Sequence, residues 1–315
     1  MPIVLISGGT GLIGTNLTRH LVDRNYKVII LSRDKKKTAD NPKISYAYWD
    51  IASGEIDIDA VKKADHIMHL AGAGVMDKRW TDEFKKQIVE SRTKSSELII
   101  KALRENGHQV KSFVSASAIG WYGADAKPLI RPEGFIETDV VDKNSFLGET
   151  CLLWEASVEP VRELGIRLTK IRTGVVLSNK GGAYKEFTMA SKFGIAGILG
   201  NGKQIISWIH IDDISRMYIE LMENEYADGS YNGVAPTPVS NKAMMLQIAE
   251  TLRRKFFIPV HVPEFLLKLA LGKQSVEILK SATVSDKKIK AVGFTFLYPT
   301  IEAAVAVLAA KKSQT

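Results

Sequence analysis

Seven residues near the N-terminus constrain this chain most: Gly8-Gly9-Thr10-Gly11-Leu12-Ile13-Gly14. They follow a short apolar run, Ile3 to Ser7, of the kind buried on both faces of a parallel sheet. Beyond them Leu12, Ile13, Leu17, Leu21 and Val22 recur at helical spacing, and Lys27-Val28-Ile29-Ile30-Leu31-Ser32 reads as a second strand. The glycine spacing is G-x-x-G-x-x-G rather than G-x-G-x-x-G, but it meets the same physical need. The turn must be tight, backbone must approach a pyrophosphate without a Cβ in the way, and the helix beginning near Leu12 must offer free N–H groups and a positive dipole end to the phosphates. A glycine triplet alone is a weak signal; between a predicted strand and helix, with another strand on schedule, it is a strong one. Gly8, Thr10, Gly11, Leu12, Ile13 and Gly14 are therefore candidate cofactor-binding residues.

The second strand ends in Ser32-Arg33, where a site for NAD would place an acid against the ribose hydroxyls. A guanidinium suits a 2′-phosphate, through paired hydrogen bonds, and stacks on adenine, so Arg33 points to NADP(H). Asp34 would become the sugar-binding acid if the register slipped by one residue.

Further strands are expected at Ile44–Trp49, His66–Leu70, Ser112–Ala116 and Arg167–Arg172, with helices at Thr81–Asn106 and Phe146–Leu164 between them. This alternation predicts an α/β chain, a Rossmann-type doubly wound parallel sheet whose ligands lie at the carboxyl ends of the strands. Residues 178–206 are glycine-rich and read as pocket-shaping loops, Ser207–His210 as a strand and Asp212–Met222 as a helix. Helices follow at Asn241–Lys255, Glu264–Ala270, Gln274–Ala282 and Thr300–Ala310. The expected organisation is a cofactor domain over residues 1–177, rejoined by 207–235, and a smaller, mostly helical C-terminal substrate lobe from 178–206 and 236–315.

Composition narrows the partners. The 315 residues are 45% hydrophobic and 25% charged, an ordinary globular balance. The net charge of +8 is spread thinly. Its dense runs, Lys35-Lys36-Lys37, Arg253-Arg254-Lys255 and Lys287-Lys288, are short and read as solvated faces, so no nucleic acid is expected. No stretch approaches about 18 apolar residues, and the start lacks a signal-peptide pattern, so neither a membrane span nor export is expected. A lone cysteine suits a reducing compartment, and the expectation is a cytoplasmic protein taking a small-molecule substrate. The pattern sets no oligomeric state.

The same residues, with Trp49-Asp50-Ile51, His69-Leu70-Ala71-Gly72-Ala73-Gly74, the run Ser115 to Gly123 and Trp208-Ile209-His210-Ile211-Asp212-Asp213, resemble the extended short-chain dehydrogenase/reductase superfamily from end to end. Arg79-Trp80-Thr81, Ser91-Arg92, Trp154-Glu155, Arg172 to Leu177 and Ala291 to Pro299 resemble, more narrowly, its atypical "epimerase family protein" (sugar-nucleotide-epimerase-like) branch, which ends in a small domain of unknown function. The resemblance implies an oxidoreductase or nucleotide-sugar epimerase, with Asp50 and Ile51 by adenine. Leu70, Ala71 and Gly72 would line the adenosine and ribose side, with Ser115 and Ala116 near the nicotinamide.

The superfamily's chemistry uses a tyrosine with a lysine four residues later, one helical turn on, so that both face the cleft. None of the nine tyrosines here has a lysine at that spacing; the expected pair falls near Leu147 and Cys151. What remains is Ser117, in the place of the active-site serine, and Tyr122, either a proton donor or a substrate-wall residue. Arg92, Trp154 and His210 are further candidates to line the substrate site. Cys151 lies in an apolar helical run and reads as core, while Glu155 could face either cleft or solvent. Asp212 or Asp213 would cap the following helix. His66 and His69 point to opposite faces of a strand, and no metal site is expected. Loss of the dyad beside retention of the glycine loop leaves a second possibility, a non-catalytic NADP(H)-binding sensor or regulatory protein.

Overall fold

A computed structural model describes residues 1–126, 129, 131–254 and 256–310. The chain opens with β1 (Ile3–Ser7), α1 (Leu12–Asp23) and β2 (Lys27–Ser32), at the expected positions, followed by β3 (Ile44–Asp50), β4 (Glu55–Ile56) and α2 (Ile58–Lys63). Then come β5 (His66–His69), α3 (Asp82–Asn106), β6 (Ser112–Ala118), α4 (Phe146–Val158) and β7 (Arg167–Thr173). Strands β8 (Val175–Leu177), β9 (Ile195–Leu199), β10 (Ile205–Ile206) and β11 (Trp208–His210) surround α5 (Ala183–Ser191). Helix α6 (Ile211–Glu223) leads to β12 (Gly229–Gly233) and β13 (Val239–Ser240). The rest is α7 (Asn241–Arg253), β14 (Ile258–Val262), α8 (Glu264–Leu271), α9 (Ser275–Leu279), α10 (Lys287–Ala291) and α11 (Ile301–Ala310).

The main sheet has eight strands in the order β12-β7-β6-β5-β1-β2-β3-β4, all parallel except β4, which pairs antiparallel with β3. It is an α/β, doubly wound sheet. From β1 the chain winds outward through β2 and β3, then returns to β5 on the other side of β1, so the switch point lies between β1 and β5. Both faces are covered. Val4, Ile6, Val28 and Ile30 meet Leu17 and Leu21 of α1 and Ile214 and Met217 of α6, while Leu5, Leu31, Ile67 and Phe113 face Val61 of α2 and Ile99 and Leu103 of α3. Alternate residues of β1 thus enter opposite cores, which is why its sequence is apolar from Ile3 to Ile6.

Residues 178–206 depart from the loop expectation: they form α5, β9 and β10, with Gly181, Gly182, Gly194, Gly200 and Gly202 at positive φ between the elements. The glycines punctuate secondary structure there rather than replacing it. Pro160 ends the regular part of the predicted Phe146–Leu164 helix at Val158, leaving a 3-10 turn over Glu159–Leu164. The helix expected over Gln274–Ala282 shrinks to α9, and Ala282 bridges Ile206 instead. Lys255, the expected end of the 241–255 helix, lies outside the described residues. Among the described residues no helix is long and apolar enough to cross a membrane.

A candidate cofactor and substrate site

The three motif glycines have different structural reasons. Gly8 has φ +72°, and a Cβ there would lie 2.8 Å from the carbonyl carbon of Leu70 and 2.9 Å from the nitrogen of Ala71. The loops after β1 and β5 are therefore in backbone contact. At Gly14 a Cβ would fall 2.3 Å from the Gly8 carbonyl oxygen and 2.6 Å from Cα of Gly9, so the turn closes on α1 only without a side chain. Gly11 is exposed, and a Cβ on it would meet only the Gly8 carbonyl oxygen, at 3.3 Å. It is the N-cap of α1, in extended backbone, with no side-chain capping bond. The first-turn N–H groups, including those of Leu12 and Ile13, have no intrahelical acceptor and remain available to an anion, with the positive helix end behind them.

A cavity of about 470 Å³ opens beside this turn. Thr10, Gly11, Thr15 and Arg19 line one side, Lys180, Gly181 and His210 the other. Arg33 stands exposed immediately after β2, and β2 keeps the predicted register against β1, Leu31 opposite Ser7. Asp34 is engaged locally, its Oδ1 accepting the N–H of Lys36 at 2.9 Å. Lys35 and Lys37 lie over the rings of Tyr48 and Tyr46 on β3. The end of β2 is thus strongly cationic. Asp50 ends β3, where its Oδ1 accepts the N–H of Ala52 at 3.0 Å, and half-buried Ile51 follows.

Beneath Leu70, Ala71 and Gly72 runs a buried polar chain that sequence reading did not anticipate. His69 Nδ1 lies 2.6 Å from Ser7 Oγ, and His69 Nε2 lies 3.2 and 3.1 Å from Ser95 Oγ and Ser96 Oγ. Both serine hydroxyls donate to the Arg92 carbonyl, which assigns the imidazole proton to Nε2 and makes Ser7 the donor to Nδ1. Burial pushes the His69 pKa down to about 4, so the ring is neutral at pH 7. The chain fastens the middle of α3 to the ends of β1 and β5.

On β6, Ser115 and Ala116 are buried, and Ser117 Oγ donates to Glu155 Oε1 at 2.8 Å. Glu155 faces the interior, not solvent: Arg172 Nε and Nη2 bind its two oxygens at 2.8 and 3.1 Å, and Ser230 Oγ donates to it. Tyr122 is fully buried, stacked 5.1 Å from Phe135, its hydroxyl donating to Asn232 Oδ1 and accepting from Arg172 Nη1. Burial raises its pKa. The structure therefore gives Ser117 and Tyr122 internal partners and places neither on the cavity wall, where sequence reading put Tyr122 as a wall or donor residue. Leu147 and Cys151 do face the end of β6, since a Cβ on Gly120 would lie 3.0 Å from Leu147 Cβ and 3.5 Å from Cys151 Sγ. Burial pushes the Cys151 thiol up to about 12.

His210 lines the cavity and is itself the N-cap of α6, its Nδ1 accepting the N–H of Asp212 at 3.1 Å. Capping was expected from Asp212 or Asp213. Instead Asp212 accepts from Asn16 and Arg19 and lies 3.1 Å from His20 Nε2 of the α1 region, and Asp213 receives the N–H groups of Leu297 and Tyr298 at 2.8 and 2.9 Å. The two acids tie α1 and the C-terminal segment to one helix end, and the ring centroids of Tyr298 and His210 lie 3.9 Å apart.

Residues 4–233 match the NAD dependent epimerase/dehydratase family. The chain belongs to that family. Residues 262–308 match a second family, a domain of unknown function (DUF1731). Epimerase family protein SH2119 of Staphylococcus haemolyticus is 33% identical over 304 residues, 96% of this chain and 98% of that one. Among solved structures, human epimerase family protein SDR39U1 with NADPH superposes with a TM-score of 0.83 at 27% identity, covering 98% and 99% of the two chains. The nucleoside-diphosphate sugar epimerase of Corynebacterium glutamicum gives 0.75 at 31% identity, covering 98% of this chain and 58% of that one. The sequence resemblance to the atypical extended short-chain class therefore holds.

Proposed function

We propose that this family member binds NADP(H) across the carboxyl ends of β6, β5, β1, β2 and β3 and acts as an oxidoreductase or nucleotide-sugar epimerase on a small polar substrate. The observation that carries the reading is the uncapped N-terminus of α1 beneath exposed Gly11, with cationic Arg33 one strand away. Gly8, Thr10, Gly11, Leu12, Ile13 and Gly14 would hold the pyrophosphate and Arg33 the 2′-phosphate. Asp50 and Ile51 would lie by adenine, Leu70 to Gly72 along the riboses, and Ser115 and Ala116 near the nicotinamide. Four gaps between neighbouring strands at about 4.8 Å give about 19 Å from β3 to β6, the reach of an extended dinucleotide. When bound, the cofactor supplies the hydride chemistry; the protein binds and orients it. The human neighbour with NADPH and the Corynebacterium sugar-nucleotide epimerase support the cofactor and substrate class.

A second reading, an NADP(H)-binding sensor without turnover, is favoured by the engaged hydroxyls of Ser117 and Tyr122 and by the lack of any tyrosine with a lysine four residues later. Titration with NADPH and NADH, monitored by cofactor fluorescence, tests the cofactor. NADPH should bind about tenfold to a hundredfold more tightly than NADH, and Arg33→Glu should collapse that ratio. An unchanged ratio refutes the role of Arg33, and absence of NADPH binding refutes the whole reading. Oxidation of bound NADPH by any member of a panel of sugar nucleotides and small carbonyl compounds selects the enzyme; tight binding without oxidation selects the sensor.

A further inference from the structure

Arg92 projects inward from the middle of α3 between the ends of β5 and β6, and only 8% of it is exposed. Its guanidinium lies over the ring of Trp154, 4.7 Å from the centroid. A Cβ on Gly72 would come within 3.1 Å of Arg92 Cζ, so the bare glycine makes room for the cation. Nη1 donates to the Ile88 carbonyl of the same helix at 2.8 Å. Among the described residues no carboxylate pairs with it, and Nε and Nη2 make no hydrogen bond, yet neither is sealed from solvent. Arg172, buried as deeply, is by contrast held by both oxygens of Glu155.

A buried guanidinium without a counter-charge is costly, and burial here pulls its pKa down. The surroundings nevertheless fix it in place. The hydroxyls of Ser95 and Ser96 hold its carbonyl, and Ser91 Oγ accepts the N–H of Ala73 at 3.0 Å. Trp154 covers the flat face, so the open edge presents Nε and Nη2 side by side, a fork matched to two oxygens of one anion. Gly72, against which the guanidinium lies, follows β5, one of the two strands that border the switch point, and ligands of such folds lie at the carboxyl ends of these strands.

We propose that Arg92, packed between Gly72 and Trp154, recognises an anionic group of the substrate, a carboxylate or a phosphate, through the edge of its guanidinium that carries Nε and Nη2. The proposal rests on reading the carboxyl ends of β5 and β6 as part of the cofactor and substrate site. It makes Arg92 a specificity residue, and it restricts the substrate class to molecules carrying an oxyanion that reaches the ends of β5 and β6.

The test uses the full chain saturated with NADPH, so that the cofactor's own phosphate sites are filled. Thermal stabilisation by malonate, inorganic phosphate, UDP-glucuronate and UDP-glucose is measured against sodium chloride at equal ionic strength, for wild type, Arg92→Met and Arg92→Lys. Wild type should show saturable stabilisation by at least one anion, weakened about tenfold to a hundredfold in Arg92→Met and partly restored in Arg92→Lys. A preference for UDP-glucuronate over UDP-glucose identifies a carboxylate, and a response to phosphate alone identifies a phosphate. Arg92→Met should melt no lower than wild type without anions, because it removes a lone buried charge. Equal responses in wild type and Arg92→Met, no response in any protein, or a large loss of melting temperature in Arg92→Met that anions do not modulate, overturns the proposal. NADPH affinity should be the same in all three proteins; its absence from wild type refutes the cofactor site itself, a failure separate from that of Arg92.

Discussion

Gly11 and Gly14 are three residues apart in one motif, yet their substitutions should fail in different ways. In Gly14→Ala the new methyl would sit 2.3 Å from the Gly8 carbonyl oxygen and 2.6 Å from Gly9 Cα. Both neighbours are backbone, so neither can swing aside. Overpacking of that kind costs about 3 kcal/mol, against which the better helix propensity of alanine returns about 1 kcal/mol, leaving a net loss of about 2 kcal/mol. For a chain of 315 residues an unfolding entropy of about 2.1 cal/mol/K per residue converts this into a fall of about 3 °C in melting temperature. Gly11→Val meets one atom at 3.3 Å, at φ −77° and ψ 179°, a conformation valine favours. Replacing glycine by valine at an N-cap costs about 1 kcal/mol, so the fold should survive with a shift of about 1.5 °C. Its branched side chain would, however, cover the N–H groups at the start of α1. NADPH affinity should fall at least about a hundredfold in Gly11→Val, while Gly14→Ala keeps measurable affinity in its folded fraction. Differential scanning calorimetry and fluorescence titration separate the two. Retention of NADPH affinity within about threefold by Gly11→Val, or an undiminished melting temperature in Gly14→Ala, would refute the assignment of one glycine to the ligand and the other to the turn.

Three further outcomes follow from the buried groups. His69 has a native pKa of about 4 against an ordinary value of 6.5, so the unfolded chain binds the extra proton. Stability should therefore be full above pH 6.5 and decline as pH falls toward 4, by about 3 kcal/mol in total; His69→Gln should flatten this part of the acid limb, and a parallel limb would sink the account. Tyr122→Phe removes bonds to Asn232 and Arg172 and should cost about 1–2 kcal/mol in urea unfolding. It should leave the pH dependence of any NADPH oxidation unshifted, whereas a lost titration limb would make Tyr122 a proton donor. Cys151, its thiol raised to about 12, should resist iodoacetamide at pH 8 in the native protein, and rapid alkylation would contradict its burial.

What the sequence determined by itself was everything encoded locally and in order. A largely apolar strand, a glycine turn and a helix at 3.6-residue spacing specify the βαβ opening, and with it the edge proposed to bind the cofactor, because each signal is read within a few neighbouring residues. The missing dyad was equally legible, since a spacing of four either contains a lysine or does not. Only the tertiary structure decided what depended on partners distant in the chain. Glu155 could not be read as buried until Arg172 was opposite it, and Tyr122 read as a cleft residue because Asn232, 110 positions away, leaves no local trace. His210 took the capping role expected of Asp212 or Asp213, and the segment bearing Leu297 and Tyr298 folds back onto the start of α6 and takes the carboxylate of Asp213 for itself. Arg92 shows both limits together. Its motif could be read, but the absence of a neutralising carboxylate among the described residues, which gives the residue its meaning, is a property of the packed interior, where the energy of a charge is set by whatever the fold brings within reach of it.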